Sequence, residues 1–189
     1  MQHVNVIDPV TVDRWKSNFD AEQDNLYLPF SQQSILLSRE VYDQLCTDTS
    51  LYIRFYFGLD DDGLGKIIAV PAYQLSPVDA HETGYMDLLI PGRIFELYSG
   101  ESITFEIAKG YVMNWEAYQA HELWTKGFLI PRPNLLHLFL EQEEPTVEIS
   151  LGVKKEISPM VSQVGTEPGR VFLNDLTSCQ LYCPPDSRL

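Results

Sequence analysis

The segment Leu51-Tyr52-Ile53-Arg54-Phe55-Tyr56-Phe57-Gly58-Leu59-Asp60-Asp61-Asp62-Gly63 decides the fold class. Aliphatic and aromatic residues occupy its odd positions through Phe57, and Arg54 falls on the other face, which is the period of a strand. An Asp-Gly pair then precedes a second apolar run, Lys66-Ile67-Ile68-Ala69-Val70. That arrangement reads as an antiparallel hairpin.

Working outward, the same order of features occurs twice. Residues 10–19 read VTVDRWKSNF and residues 103–112 read ITFEIAKGYV, an offset of 93. It aligns Thr11 with Thr104, Asp13 with Glu106, Lys16 with Lys109 and Phe19 with Val112. It also sets Ile35-Leu36-Leu37 on Phe128-Leu129-Ile130, Arg39 on Arg132, Tyr42 on Leu135 and Leu45 on Leu138. One extra residue then brings Ile53, Phe55, Phe57 and Gly58 onto Val147, Ile149, Leu151 and Gly152.

Each unit opens on a helical pattern. Thr11 in the first unit, and Ser102 or Thr104 in the second, can cap the helix with an acid in its first turn. Val12, Trp15 and Phe19 form one apolar face, ending near Asn25; Ile103, Ile107, Tyr111 and Trp115, each four apart, form the other. A short helix follows, from Ser38-Arg39 or from Pro131-Arg132, where prolines suit a first turn. Its apolar residues are Val41, Tyr42 and Leu45, or Leu135, Leu138 and Phe139. Strands come next: the hairpin above, and Thr146 to Leu151 returning through Ile157 to Val164 after a turn near Gly152 to Lys155. Tyr85 to Ile90 and Arg170 to Leu173 supply a third strand to each unit.

Helices followed by runs of strands indicate an α+β protein. The expected architecture is an internal duplication, each unit a helix, a short helix and an antiparallel β-meander, packed about a pseudo-twofold. Residues 1–92 form the first unit, 93–177 the second, and 178–189 a loose, proline-rich tail. Gln74 to Gly84 reads as a loop, and Pro91 to Glu101 as the linker.

Composition narrows the function. The chain has 189 residues, 44% hydrophobic and 12% aromatic, enough to bury a core. Its net charge of −14 leaves no basic face for phosphates, so nucleic acid and anionic membrane are poor partners, and a basic protein or a cation is a better one. No apolar run reaches the roughly 20 residues that span a bilayer. Residues 1–5 lack a signal-peptide pattern, and the cysteine count of three does not suit a disulfide scaffold; the expected location is cytoplasmic. Cys46 reads as a buried small hydrophobe.

Motifs for chemistry are weak. Asp60-Asp61-Asp62-Gly63 lacks the alternate spacing of a calcium loop and has Pro71 at its twelfth position, so it reads as a turn. His81-Glu82 and His121-Glu122 are adjacent pairs that point apart on a helix, and no second histidine stands at metal spacing beside them. His81, His121 and His137 can converge only through the fold. Cys179 and Cys183 stand three residues apart in the tail, without two further zinc ligands. Gly63-Leu64-Gly65-Lys66 lacks phosphate-loop spacing. No cofactor and no metal are expected.

The stretch Tyr52 to Gly63, with the short helix Arg39 to Leu45 and the tail Cys183-Pro184-Pro185, resembles a family of uncharacterised soluble bacterial proteins carrying an IRxYFGLDDxG hairpin. Residues 9–75 carry the resemblance. The family's second tail cysteine is missing; Asp186-Ser187 stands there instead. The resemblance implies a fold and a bacterial host, and no activity.

The expected function is a non-enzymatic protein-interaction or small-ligand-binding module. One alternative is a hydrolase-like or metal-dependent enzyme with histidines and carboxylates at the junction of the halves. Another is an acidic immunity- or antitoxin-like protein. The halves differ most at Gln74–Gly84 and Glu116–Trp124. Tyr118, His121 and Trp124 on the longer second helix are therefore the candidate interaction surface.

Overall fold

The computed structural model describes residues 6–26, 29–74, 85–118, 126–141, 146–153, 157–163, 172–173 and 177–178. In chain order the elements are β1 (Val6–Ile7), α1 (Pro9–Leu26), β2 (Ser34–Ser38), α2 (Arg39–Leu45), β3 (Tyr52–Leu59), β4 (Gly65–Gln74), β5 (Tyr85–Asp87) and β6 (Phe95–Glu96). They continue with β7 (Glu101–Ser102), α3 (Phe105–Tyr118), β8 (Gly127–Pro131), α4 (Arg132–Glu141), β9 (Thr146–Val153), β10 (Ile157–Gln163), β11 (Phe172–Leu173) and β12 (Thr177–Ser178). Helices combine with antiparallel sheets, so the α+β class holds.

The chain makes two sheets, one ordered β1-β11-β10-β9-β2 and the other β12-β8-β3-β4-β6-β7, with β5 also on β4. One core takes inward side chains from both: Ile35 and Leu37 of β2, Ile53, Phe55 and Phe57 of β3, Phe128 and Ile130 of β8, Val147, Ile149 and Leu151 of β9. The short helices close it, with Val41, Tyr42 and Leu45 from α2 and Leu135, Leu138 and Phe139 from α4 all buried, as their spacing indicates. Outside the sheets, α1 lies on β9 and α3 on β3.

The units are not simple meanders. Each short helix is preceded by a strand, β2 or β8, that periodicity alone does not reveal, and each of those strands pairs with the other half. Ile35 faces Ile149 and Leu37 faces Val147, while Phe128 faces Phe55 and Ile130 faces Ile53. The hairpin β3–β4 stands as read, from Tyr52 opposite Ala72 to Leu59 opposite Gly65.

Three local readings are corrected. Pro91 to Glu101 is no passive linker: Ile94, Phe95 and Leu97 are buried, and β6 joins β4. The stripe Ile103-Ile107-Tyr111-Trp115 is not the buried face of α3. Steps of four residues overshoot a helical turn by about 40° each, so a run of them rotates off the core. The buried set alternates steps of four and three, Ala108, Val112 and Trp115, and Ile107 is 44% exposed. Thr11 does not cap α1; the helix starts earlier, at Pro9, and Asp8 accepts from the Thr11 amide at 3.0 Å. Thr104 does cap α3, accepting from the Ile107 amide at 3.4 Å.

Gly152, read as the start of a turn, is a strand residue, as is Gly58. Both lie inside strands, where a helix crosses too closely for a side chain. A Cβ on Gly58 would stand 2.9 Å from Cβ of Tyr111, and one on Gly152 would stand 2.9 Å from Cβ of Trp15.

Candidate functional site

The edge of β2 ends one of the two sheets. In an antiparallel pair both peptide groups of one residue point to the same side, and successive residues alternate. The Leu151 amide donates to the Gln33 carbonyl at 2.7 Å, which puts Gln33, Ile35 and Leu37 in the ladder with β9. Ser34, Leu36 and Ser38 therefore turn their peptide groups away from β9. Among the described residues no strand pairs with that side, because β2 ends its sheet.

The outer side of β8, in the other sheet, is occupied. The Phe57 amide donates to the Lys126 carbonyl at 3.0 Å, so Gly127, Leu129 and Pro131 turn away from β3. There Leu129 faces Thr177 of β12. Leu129 is buried, at 3% exposure, whereas Leu36, which stands 93 positions before it, is 55% exposed.

A cavity of about 240 Å³ runs beside β2, between Leu36, Ser38 and Val41 on one wall and Leu97 to Gly100 on the other. The far wall is fixed by a buried carboxylate. Glu96 accepts from the amides of Tyr98 and Ser99, each at 2.9 Å, and its carbonyl accepts from the Gly100 amide at 2.9 Å. The Tyr98 hydroxyl donates to the Gln32 carbonyl at 3.2 Å and so ties the two walls together. Burial, with Glu96 nearby, pushes the Tyr98 phenol up, so it remains a donor. Small-molecule sites commonly enclose roughly 300–1,000 Å³. This cavity is smaller and open along a strand, a shape suited to side chains of an extended segment.

A second polar centre lies on the other sheet. Arg54 Nη1 meets Asp87 Oδ1 at 2.9 Å, with both side chains 1% exposed. The Tyr56 hydroxyl donates to Asp87 Oδ2 at 2.5 Å, and Arg54 donates to Tyr56 at 3.0 Å and to the Tyr85 carbonyl at 3.0 Å. Burial pushes Asp87 up against the opposing pull of Arg54 and Tyr56, and it pushes the Tyr56 phenol up as well. No solute reaches charges so enclosed. Their chemistry is that of a clamp holding β5 to β3.

The sequence candidates are dispersed. Tyr118 ends α3, 39% exposed, its ring 6.4 Å from Trp115. His121 and Trp124, like His81, Cys179 and Cys183, lie outside the described residues. His137 is exposed on α4. Asp60 is occupied within its own turn, accepting from the Leu64 amide at 2.8 Å and from Lys66 Nζ at 3.2 Å. Cys46 is half-buried at the end of α2, and burial pushes its thiol up, away from a reactive thiolate. Among the described residues no three His, Cys, Asp or Glu side chains cluster in a way that could hold a metal, and no helix is long and apolar enough to cross a membrane.

Sequence reading missed Leu36, Glu96 and Tyr98. A five-residue signal was present for the first: Ser34-Ile35-Leu36-Leu37-Ser38, an apolar run bounded by serines, the second capping α2. Glu96 and Tyr98 carried no signal, because a buried carboxylate that organises a turn looks like any surface acid. No family model matches the chain, no curated protein matches it, and no solved structure matches its fold.

Proposed function

We propose that this protein is a non-enzymatic interaction module, built by duplication, that takes a protein ligand in the groove along β2. The observation that carries the reading is the accessible edge of β2 beside a cavity whose far wall is held rigid by Glu96. A rigid groove avoids part of the ordering cost of binding.

Duplication is supported by the reciprocal pairing. Shifting β2 by 93 and β9 back by 94 turns the pair Ile35–Ile149 into Phe128–Phe55, and Leu37–Val147 into Ile130–Ile53. The crossings at Gly58 and Gly152 correspond too, and they refine the helix alignment. Trp15 and Tyr111 occupy equivalent places, as do Phe19 and Trp115, an offset of 96 rather than 93. A pseudo-twofold relates the halves on this reading, with β2 and β8 exchanged between them. The acidic surface favours a basic partner, and the half-buried thiol of Cys46 suits a reducing, cytoplasmic setting.

Selection from a phage-displayed library of random dodecapeptides tests the function, with backbone amide shifts of labelled protein locating the bound peptide. Enriched peptides that move Ser34 to Ser38 and Leu97 to Gly100 support it. Enrichment of nothing, or shifts confined to α3 around Tyr118, would overturn it.

A further inference from the structure

The groove along β2 can be assigned an occupant from within the molecule, and the inference rests on the binding reading above. We infer that β2 is completed by strand addition: an extended segment of a basic partner pairs antiparallel with its outer edge, as β12 pairs with β8. Main-chain hydrogen bonds in this mode supply affinity, and alternate side chains supply specificity.

The corresponding edge shows what such a segment does. Thr177 and Ser178 run antiparallel to Leu129 and Phe128 and complete the outer side of β8. The equivalent positions in β2 are Leu36 and Ile35, and the outward peptide groups of Ser34, Leu36 and Ser38 present the same pattern. The residue opposite Leu36 would accept from its amide and donate to its carbonyl. One side chain next to it would enter the cavity between Leu36 and Leu97.

Charge selects the partner. Glu40, in the first turn of α2 and next to Val41 of one wall, and Glu101, next to Gly100 of the other, are both exposed. Glu148 stands opposite Leu36 on β9. Arg39, which opens α2 after Ser38, is engaged with Asp43 at 2.9 Å. The chain as a whole carries −14. A segment with an apolar residue at the cavity and Lys or Arg on either side complements this rim.

The test uses peptides enriched by display and two variants of the full chain. Leu36→Pro removes one outward amide while sparing the ladder with β9, a position where an edge strand tolerates proline. Leu36→Ala keeps the amide and removes the side chain. Strand addition expects Leu36→Pro to weaken peptide binding more than Leu36→Ala, by about tenfold. It also expects N-methylation at alternate peptide residues to weaken binding by about tenfold, with the intervening residues insensitive. The methylation series needs only the native chain, so it decides the matter even where Leu36→Pro does not fold. Peptides that bind in the groove with no alternation would overturn strand addition and leave the binding module standing. Failure to enrich any peptide overturns both, and pairing of β2 with a second copy, seen as concentration-dependent dimerisation lost in Leu36→Pro, overturns the basic partner.

Discussion

Gly58 shows how much one atom decides. A methyl group there meets the Tyr111 side chain and backbone, at 2.9 and 3.3 Å, whereas one on Gly110 of α3 meets nothing within 4 Å. Gly58→Ala should therefore lower stability by about 1–3 kcal/mol through overpacking. Gly110→Ala should raise it by about 0.5–1 kcal/mol, because a helix interior favours alanine. Urea unfolding of the two variants gives the signs. Arg54 makes the opposite kind of contribution, since its removal strands a buried carboxylate. Arg54→Met should cost about 3–5 kcal/mol, and Arg54→Met with Asp87→Leu should recover much of it. Equal losses in the single and double variants, measured the same way, would contradict the clamp. At this scale the sequence was partly legible. The glycines at 58 and 152 were visible, but the reason for each was not, because which element crosses a strand is a tertiary fact.

The elements were legible in proportion to their regularity. The β3–β4 hairpin and the buried faces of α2 and α4 followed from period and turn chemistry. β2 and β8 did not, because five-residue apolar runs carry too few repeats to separate strand from helix. The start of α1 also depends on local chemistry. Hydrogen bonds from Thr11, side chain first and then backbone, hold the Asp8 carboxyl below its usual range. A carboxylate with a lowered folded-state pKa stabilises above its unfolded value, and that contribution fades as pH falls through the folded value. Asp8→Ala should thus lower the unfolding midpoint at neutral pH and converge on the native chain in acid. Thermal melts of both proteins across that range would show the convergence.

At the scale of the whole molecule residues 1–92 and 93–189 share both sheets. β2 pairs with β9 in one and β8 with β3 in the other, so neither stretch alone holds a full sheet. Residues 1–92 and 93–189 expressed separately should each lack cooperative unfolding, and mixing them should restore it. A half that folds alone, shown by a sigmoidal urea transition, would contradict the exchange. The candidate site was the least legible part. Leu36 and the Glu96–Tyr98 turn come from two segments far apart in the chain, and of the residues singled out by sequence Tyr118 ends α3, away from both, while His121 and Trp124 lie outside the described residues.

The proposed binding role turns on a contrast between two strand edges: β12 pairs with the outer side of β8, and among the described residues no strand pairs with the outer side of β2. Native-state hydrogen exchange, resolved by residue, measures it directly. In the free protein the amides of Ile35, Leu37 and Leu129 should exchange slowly and those of Ser34 and Leu36 rapidly. A bound peptide should then slow Leu36. Slow exchange at Leu36 in the free monomer would contradict the account, because the edge would already be filled by the chain itself.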